Sequence, residues 1–279
     1  MKDKRILSDY NEKSTSHPTL RSILLGILFS ITLAISLFAA GFAVCTLPTT
    51  TPALSRLFSD FETSVYLPDD TIELASATRD FTVGFHGTSD SSATNVLAMR
   101  IMDAAKNSSA KESIKAEKWK KVSIPTTGTA TVQMYELAAQ GNQYSLGENE
   151  IKHLIDCNKI IRVAVPVLIV IAVITLISGV ILGVTSKKRA LGRALIAAPA
   201  LLLLAMISIG VWAIVDFNAF FSAFHGLFFP QGNWTFPADS LLICMLPTGF
   251  WIAMAAIWII VTIALSLVCI LFGRHLLRR

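Results

Sequence analysis

Four long runs of uncharged, mostly apolar residues dominate this chain and decide what it can fold into. They are Ile23–Cys45, Val163–Val184, Ala194–Val215 and a stretch inside Ser240–Gly273 that Pro247 and Gly249 interrupt. A helix needs about 20 such residues to cross a hydrocarbon core about 30 Å thick, and each run is long enough. Placing the last span at Phe250–Phe272 leaves Leu241–Leu246 as a shallow lead-in to the membrane. Composition supports this reading. Only 15% of the 279 residues are charged and 53% are hydrophobic, against about 25% charged in a soluble chain. Such an apolar chain is not disordered, and four cysteines are too sparse for a disulfide scaffold. The expected fold class is an all-α membrane protein with four transmembrane helices, an interfacial helix and an extracytoplasmic insert.

Lys and Arg in short flanking segments orient the spans. Segment 1–22 carries Lys2, Lys4, Arg5, Lys13 and Arg21; loop 185–193 carries Lys187, Lys188, Arg189 and Arg193; tail 273–279 carries Arg274, Arg278 and Arg279. Four spans, 23–45, 163–184, 194–215 and 250–272, put these three segments on one side, which is then cytoplasmic, with both termini inside. The formal charge of +5 thus reports topology, not nucleic-acid binding, which needs a basic face on a folded soluble domain. Span one exceeds the 7–15 residues of a signal-peptide core, and Val44 occupies the small-residue position of a lipoprotein cleavage box. This span is expected to remain as an anchor.

Segments 46–162 and 216–249 then face outward. In the first, Thr46–Ser55 reads as an extended linker, and Pro68-Asp69-Asp70-Thr71 reads as a helix start with acids in its first turn. Residues 88–146 read as a small, poorly packed insert. Within it, Ala93–Lys121 has helical periodicity, with Val96, Met99, Met102 and Ala105 on one face. Lys106, Lys111, Lys115, Lys118, Lys120 and Lys121 read as a solvated face, with anionic headgroups as the alternative partner. Cys45, Cys157, Cys244 and Cys269 show no metal or pairing spacing, so free membrane-facing thiols are expected, with one disulfide among Cys45, Cys157 and Cys244 near the outer interface as the alternative. Neither a phosphate-binding glycine loop nor a serine-nucleophile elbow is present.

Histidines carry the chemical signal. His17 and His275 lie in the polar ends, and His86 lies in the turn Phe85-His86-Gly87-Thr88. His153 and His225 fall just outside the membrane on the same face. Glu150, His153 and Asp156 are spaced i, i+3, i+6 on the helix leading into span two, so neighbours share a face. A carboxylate beside an imidazole raises its basicity and selects its tautomer. In the second segment, Asn218, Ser222 and His225 fall within about 60° of one another at helical spacing. Phe217, Phe221, Phe224 and Phe228 form an adjacent lipid-facing stripe, and Trp234 and Phe236 extend the aromatic belt. Seven of the 16 Phe residues fall in Phe217–Phe236, the pattern of a helix lying in the interface. Two histidines at this depth suit proton transfer on a lipid headgroup or ester. The competing readings are a charged helix end with a re-entrant anchor, a metal-dependent hydrolase using Glu150, His153 and His225, and a non-catalytic sensor or assembly factor that binds a partner through its insert.

These same residues resemble the lipoprotein intramolecular transacylase (Lit) family. Its Glu-Ile-x-His-Met-x-Asp-Val stretch is similar to Glu150-Ile151-Lys152-His153-Leu154-Ile155-Asp156-Cys157. Its Phe-His-x-x-Phe-Phe, Trp-x-Phe and Leu-Pro elements are similar to Phe224–Phe229, Trp234-Thr235-Phe236 and Leu246-Pro247. The resemblance covers about Glu150–Phe272. Leu154 and Cys157 stand where the family has Met and Val, and Thr248-Gly249 where an acidic residue often follows Leu-Pro.

The resemblance implies a bacterial cytoplasmic-membrane enzyme with an outward-facing site. It would move the sn-2 acyl chain of a diacylglyceryl lipoprotein to the α-amino group of that lipoprotein's own N-terminal cysteine. The implied partners are that lipoprotein and membrane lipid. No nucleic acid, cofactor, metal or protein nucleophile is implied. One of His153 and His225 would act as base and the other as electrophile, an assignment the sequence leaves open. Glu150, Asp156, Asn218 and Trp234 would support them.

Overall fold

The computed structural model describes residues 20–85, 91–185 and 188–278; His17 and His86 lie outside them. The described residues form helices and no strands. Four of these helices are long and apolar enough to cross a membrane: α1 (Leu20–Cys45), α7 (Glu148–Val184), α8 (Lys188–Val215) and α11 (Thr248–Arg278). The shorter ones are α2 (Thr50–Phe58), α3 (Pro68–Val83), α4 (Ser91–Ser109), α5 (Ala116–Trp119), α6 (Ala130–Ala138), α9 (Phe217–Phe228) and α10 (Leu241–Met245).

Helix α1 is the centre of the bundle and packs against α7, α8 and α11, whereas the sequence neighbours α7 and α8 touch only slightly. Lipid tails are as apolar as leucine, so close packing and polar contacts hold such helices together. At the α8–α11 crossing, a Cβ on Gly192 would lie 2.9 Å from the Gly273 carbonyl, and one on Gly273 would lie 2.8 Å from the Gly192 carbonyl. Only glycine at both positions allows this approach. The Trp258 indole donates to the Phe38 carbonyl at 2.9 Å, and Ser36 and Thr175 share a hydrogen bond at 3.1 Å.

The outer helices build a second core, around Tyr66, Leu74, Ile101, Met134, Leu137 and Leu146. Several expectations change here. Residues 50–58 are helical, not an extended linker. Pro52 falls in the first turn, where its missing N–H costs no hydrogen bond, and Thr51, Leu54 and Ser55 are buried. The insert is well packed, because α4 and α6 bury their apolar faces against each other and α3. The buried face of α4 carries Leu97, Ala98, Ile101, Met102 and Ala105, while Val96 and Met99 face out. Apolar residues occupy both helical registers, and contact with α3 and α6 selects one. The helix ends at Ser109, short of Lys121.

The lysines also divide. Lys115 Nζ donates to the Phe61 and Ser64 carbonyls, and Lys118 Nζ to those of Glu62, Thr63 and Ser64, whereas Lys106 and Lys120 remain exposed. Leu241, Leu242 and Met245 are buried in the outer core, so α10 is part of this domain and not a membrane lead-in. All four cysteines are free.

Asn158 joins the outer helices to α7. Its fully buried amide donates to the carbonyls of Phe81, Thr82 and Gly84 at 3.5, 3.0 and 2.7 Å, satisfying carbonyls that the end of α3 leaves open. Asn158 lies about 140° round the helix from His153. Anchoring it to α3 therefore turns His153 toward the segment that follows α9.

Candidate active site

Helix α9 starts at Asp216, whose carboxylate accepts the Ala219 N–H at 2.9 Å, a helix cap. Phe220 packs edge-on against Trp212 at the end of α8, with ring centres 5.6 Å apart. His225 sits on the inward side of α9, between the rings of Phe221 (3.9 Å) and Trp234 (4.9 Å). Its Nδ1 lies 2.8 Å from the Phe221 carbonyl. A carbonyl only accepts, so Nδ1 carries the hydrogen. Burial lowers the pKa of His225, and the Phe221 bond opposes this only in part. The ring is therefore neutral at pH 7, and its Nε2 presents a lone pair.

His153 lies on α7 against Phe229 and Phe236, at ring distances of 4.7 and 5.7 Å. Burial and then repulsion from His225 push it down to about 4, against the pull of Asp156. Its Nε2 is 3.6 Å from the Cys157 Sγ. Its Nδ1 is buried with no partner among the described residues. The buried ring of Phe229 also reaches His225, at 6.0 Å, so the structure brings the two histidines to one aromatic wall.

Asp156 does not bond His153. Its carboxylate accepts Lys159 Nζ at 2.8 Å, Gln231 Nε2 at 2.9 Å and Asn233 Nδ2 at 3.4 Å. Burial raises its pKa, but these bonds outweigh burial and leave it below the usual range. Asp156 thus ties the segment after α9 to α7, and loop residues that no sequence spacing links to it take the place expected for His153. A carboxylate only accepts, so the Asn233 amide must turn its nitrogen toward Asp156. Its Oδ1 is left buried and unpartnered among the described residues.

Glu150 is buried at 6% exposure, and its Oε2 lies 3.0 Å from where a Cβ on Gly147 would be. It folds back over the first turn of α7, where an acid favours the helix N-terminus, and away from His153. Asn218 is exposed; Trp234 stacks on His225. Phe217, Phe224 and Phe228 face out, at 46%, 48% and 42% exposure. Phe221 instead turns inward onto His225 and Trp234, because the Phe221 carbonyl holds the imidazole on that side. Sequence reading missed Cys157, Phe229 and Asn233. Only Cys157 carried a usable signal, standing i+4 from His153.

Two neutral imidazoles in apolar surroundings are suited to proton transfer and carbonyl polarisation at a membrane-side ester. Residues 117–251, which include both histidines, match the family model described as lipoprotein intramolecular transacylase Lit. The resemblance read from the sequence therefore holds over this segment. The chain shares its fold with the membrane-integral lipoprotein intramolecular transacylase Lit from Bacillus cereus, at 17% identity and a TM-score of 0.62, covering 92% of this chain and 96% of that one. It is also similar to a variant of that protein carrying a histidine-to-arginine substitution, at 16% identity and a TM-score of 0.61, covering 92% of each chain. At such identity the likeness is one of fold. No curated protein sequence matches the chain.

Proposed function

We propose that this chain, with the Lit fold and a Lit-like segment over residues 117–251, is a membrane acyltransferase acting on lipoproteins. It moves the sn-2 acyl chain of an S-diacylglyceryl cysteine to that cysteine's own α-amino group. One observation carries this reading: His225, with its Nδ1 bound to a carbonyl, and His153, with an unpartnered Nδ1, meet at Phe229.

The α-amino group has a pKa of about 7.7–8.0, so a weak base suffices. The amine nitrogen attacks the ester carbonyl, and His225 Nε2 takes a proton from it. The tetrahedral oxyanion needs a donor, and His153 serves as that electrophile. Collapse breaks the bond to the glycerol oxygen, which recovers the proton from His225, leaving an amide and a lyso-glyceryl thioether. Amine and ester belong to one molecule, so positioning supplies much of the rate and no protein nucleophile is needed. The basic flanks of the spans support a multi-pass placement in a bacterial cell membrane, with termini cytoplasmic and the site outward.

Mass spectrometry of N-terminal lipopeptides tests the reading, in a bacterial host whose lipoproteins stop at the diacylglyceryl stage. The expected product is an N-acyl, monoacylglyceryl cysteine of unchanged total acyl content, absent with His153→Ala or His225→Ala. Unchanged diacylglyceryl peptides, with the protein present in the membrane, would overturn it.

A further inference from the structure

We infer that Asn233 is a substrate-binding residue: its Oδ1 accepts an N–H of the lipoprotein's α-amino group and so aims the amine's lone pair at the ester. This rests on the transacylase reading for the identity of that amine.

The Asn233 amide has only one way round. Its contact with the Asp156 carboxylate is long, at 3.4 Å, and the chemistry of the two partners, not its strength, fixes its direction. Asp156 is ionised, with a pKa below the ordinary carboxylate range despite burial, and an ionised carboxylate only accepts. The reverse orientation would set an amide oxygen against the carboxylate. It would also put Nδ2 where Oδ1 now stands, a place with no hydrogen-bond partner. Nδ2 therefore faces Asp156, and Oδ1 is left buried and unpartnered among the described residues.

A buried acceptor without a donor is costly, and few groups could supply the hydrogen. Asn233 lies within the segment that walls the site. Phe229 and Phe236 of this segment pack on His153, and the adjacent Trp234 stacks on His225. A buried water needs about three polar partners, and this wall is made of rings. Lys159 and Gln231, the other donors at Asp156, are engaged by its carboxylate. The ester and thioether groups of an S-diacylglyceryl cysteine only accept, so the hydrogen must come from a nitrogen. A neutral α-amino group carries two N–H bonds and one lone pair. One N–H goes to Asn233 Oδ1. The other goes to His225 Nε2, the bare nitrogen opposite the Phe221 bond. Held at both hydrogens, the amine keeps its lone pair for the ester carbonyl, which is the orientation that attack requires.

Binding to the full-length protein in detergent micelles tests this, at about pH 9, where the amine is uncharged. Two synthetic lipopeptides are compared. Both carry ether-linked chains, so neither can be turned over. One has the α-amino group, and the other has hydrogen in its place. Wild type is expected to bind the amine lipopeptide about tenfold more tightly, as one net hydrogen bond allows. Asn233→Leu is expected to bind the two alike. Isosteric Asp156→Asn, which lets the Asn233 amide turn over, is expected to cut the preference severalfold. A role confined to holding the wall in place would weaken both lipopeptides and keep their ratio. Equal binding by wild type would overturn the inference and assign Oδ1 to a peptide N–H or a water, and that comparison needs no variant to fold. So would a preference that stays near tenfold in either variant. If wild type binds neither lipopeptide, the inference and the transacylase reading fall together. If the preference behaves as stated but ester-linked lipopeptides are never converted, the transacylase reading alone fails.

Discussion

The imidazole of His225 is held by Phe221, four residues earlier on the same helix, through an Nδ1–H bond to its carbonyl at 2.8 Å. This contact determines which nitrogen remains available. It also separates the role of His225 from that of His153, whose unpartnered atom is Nδ1.

Activity should therefore depend on pH in two stages. Both the substrate amine and His225 react unprotonated. Below the amine pKa of about 8 the rate should fall about tenfold per pH unit. Burial places His225 below its ordinary value, so a second proton enters only under about pH 6.5, and the profile steepens there to about a hundredfold per unit. In His225→Gln the rate should drop on the order of 10²–10⁴ and the second bend should vanish. A single slope throughout in the wild type would remove His225 as the base.

His153 should make the fold acid-sensitive. Its folded pKa is about 4 against an ordinary 6.5, so below pH 6.5 the unfolded chain takes up a proton that the folded chain refuses. The stability contribution is complete above pH 6.5 and is lost progressively as pH falls toward 4. The full shift corresponds to about 3 kcal/mol, and partial exposure of the ring reduces this to about 1–2 kcal/mol. Thermal unfolding in detergent at pH 7.5 and 4.5 should show a larger loss for wild type than for His153→Gln.

Asp156 and Asn233 should act as a unit. Asp156→Asn weakens the acceptor shared by Lys159, Gln231 and Asn233. Neutral hydrogen bonds contribute about 1 kcal/mol each, so global stability should fall modestly. Activity should fall more steeply, because the segment carrying Phe229 and Trp234 loses its tie to α7. A double-mutant cycle with Asn233→Leu should show clear non-additivity. Strict additivity would separate the two residues.

Gly192 should tolerate no side chain. Its Cβ would meet the Gly273 backbone carbonyl at 2.9 Å, and backbone cannot move aside as a side-chain tip can. Gly192→Ala should destabilise by about 1–3 kcal/mol, as overpacking does, and lower the melting temperature in detergent. At Gly210, where a Cβ meets nothing within 4 Å, the same change should have little effect.

Much of the site's location was legible along the chain. The run from Glu150 to Cys157 and the aromatic run around His225 both border long apolar runs, and the structure brings the two histidines to one aromatic wall. Their partners did not follow. Helical spacing put Glu150 and Asp156 within reach of His153, yet neither bonds it. The first settles over Gly147, and the second takes Gln231 and Asn233 from a segment about 75 positions away. The packed insert escaped detection because α4 has apolar residues in both registers, and only α3 and α6 choose between them.

The sequence by itself picked out the four helices long and apolar enough to cross a membrane, because that property depends on the length of an uncharged run against a fixed membrane thickness. It also placed both histidines beside those apolar runs. Only the tertiary structure decided what each histidine presents. A ring's protonation and free nitrogen depend on burial and on which neighbours compete for each polar group. Those neighbours, Phe229 and Asn233 from the segment after α9, reach α7 only when the chain is folded.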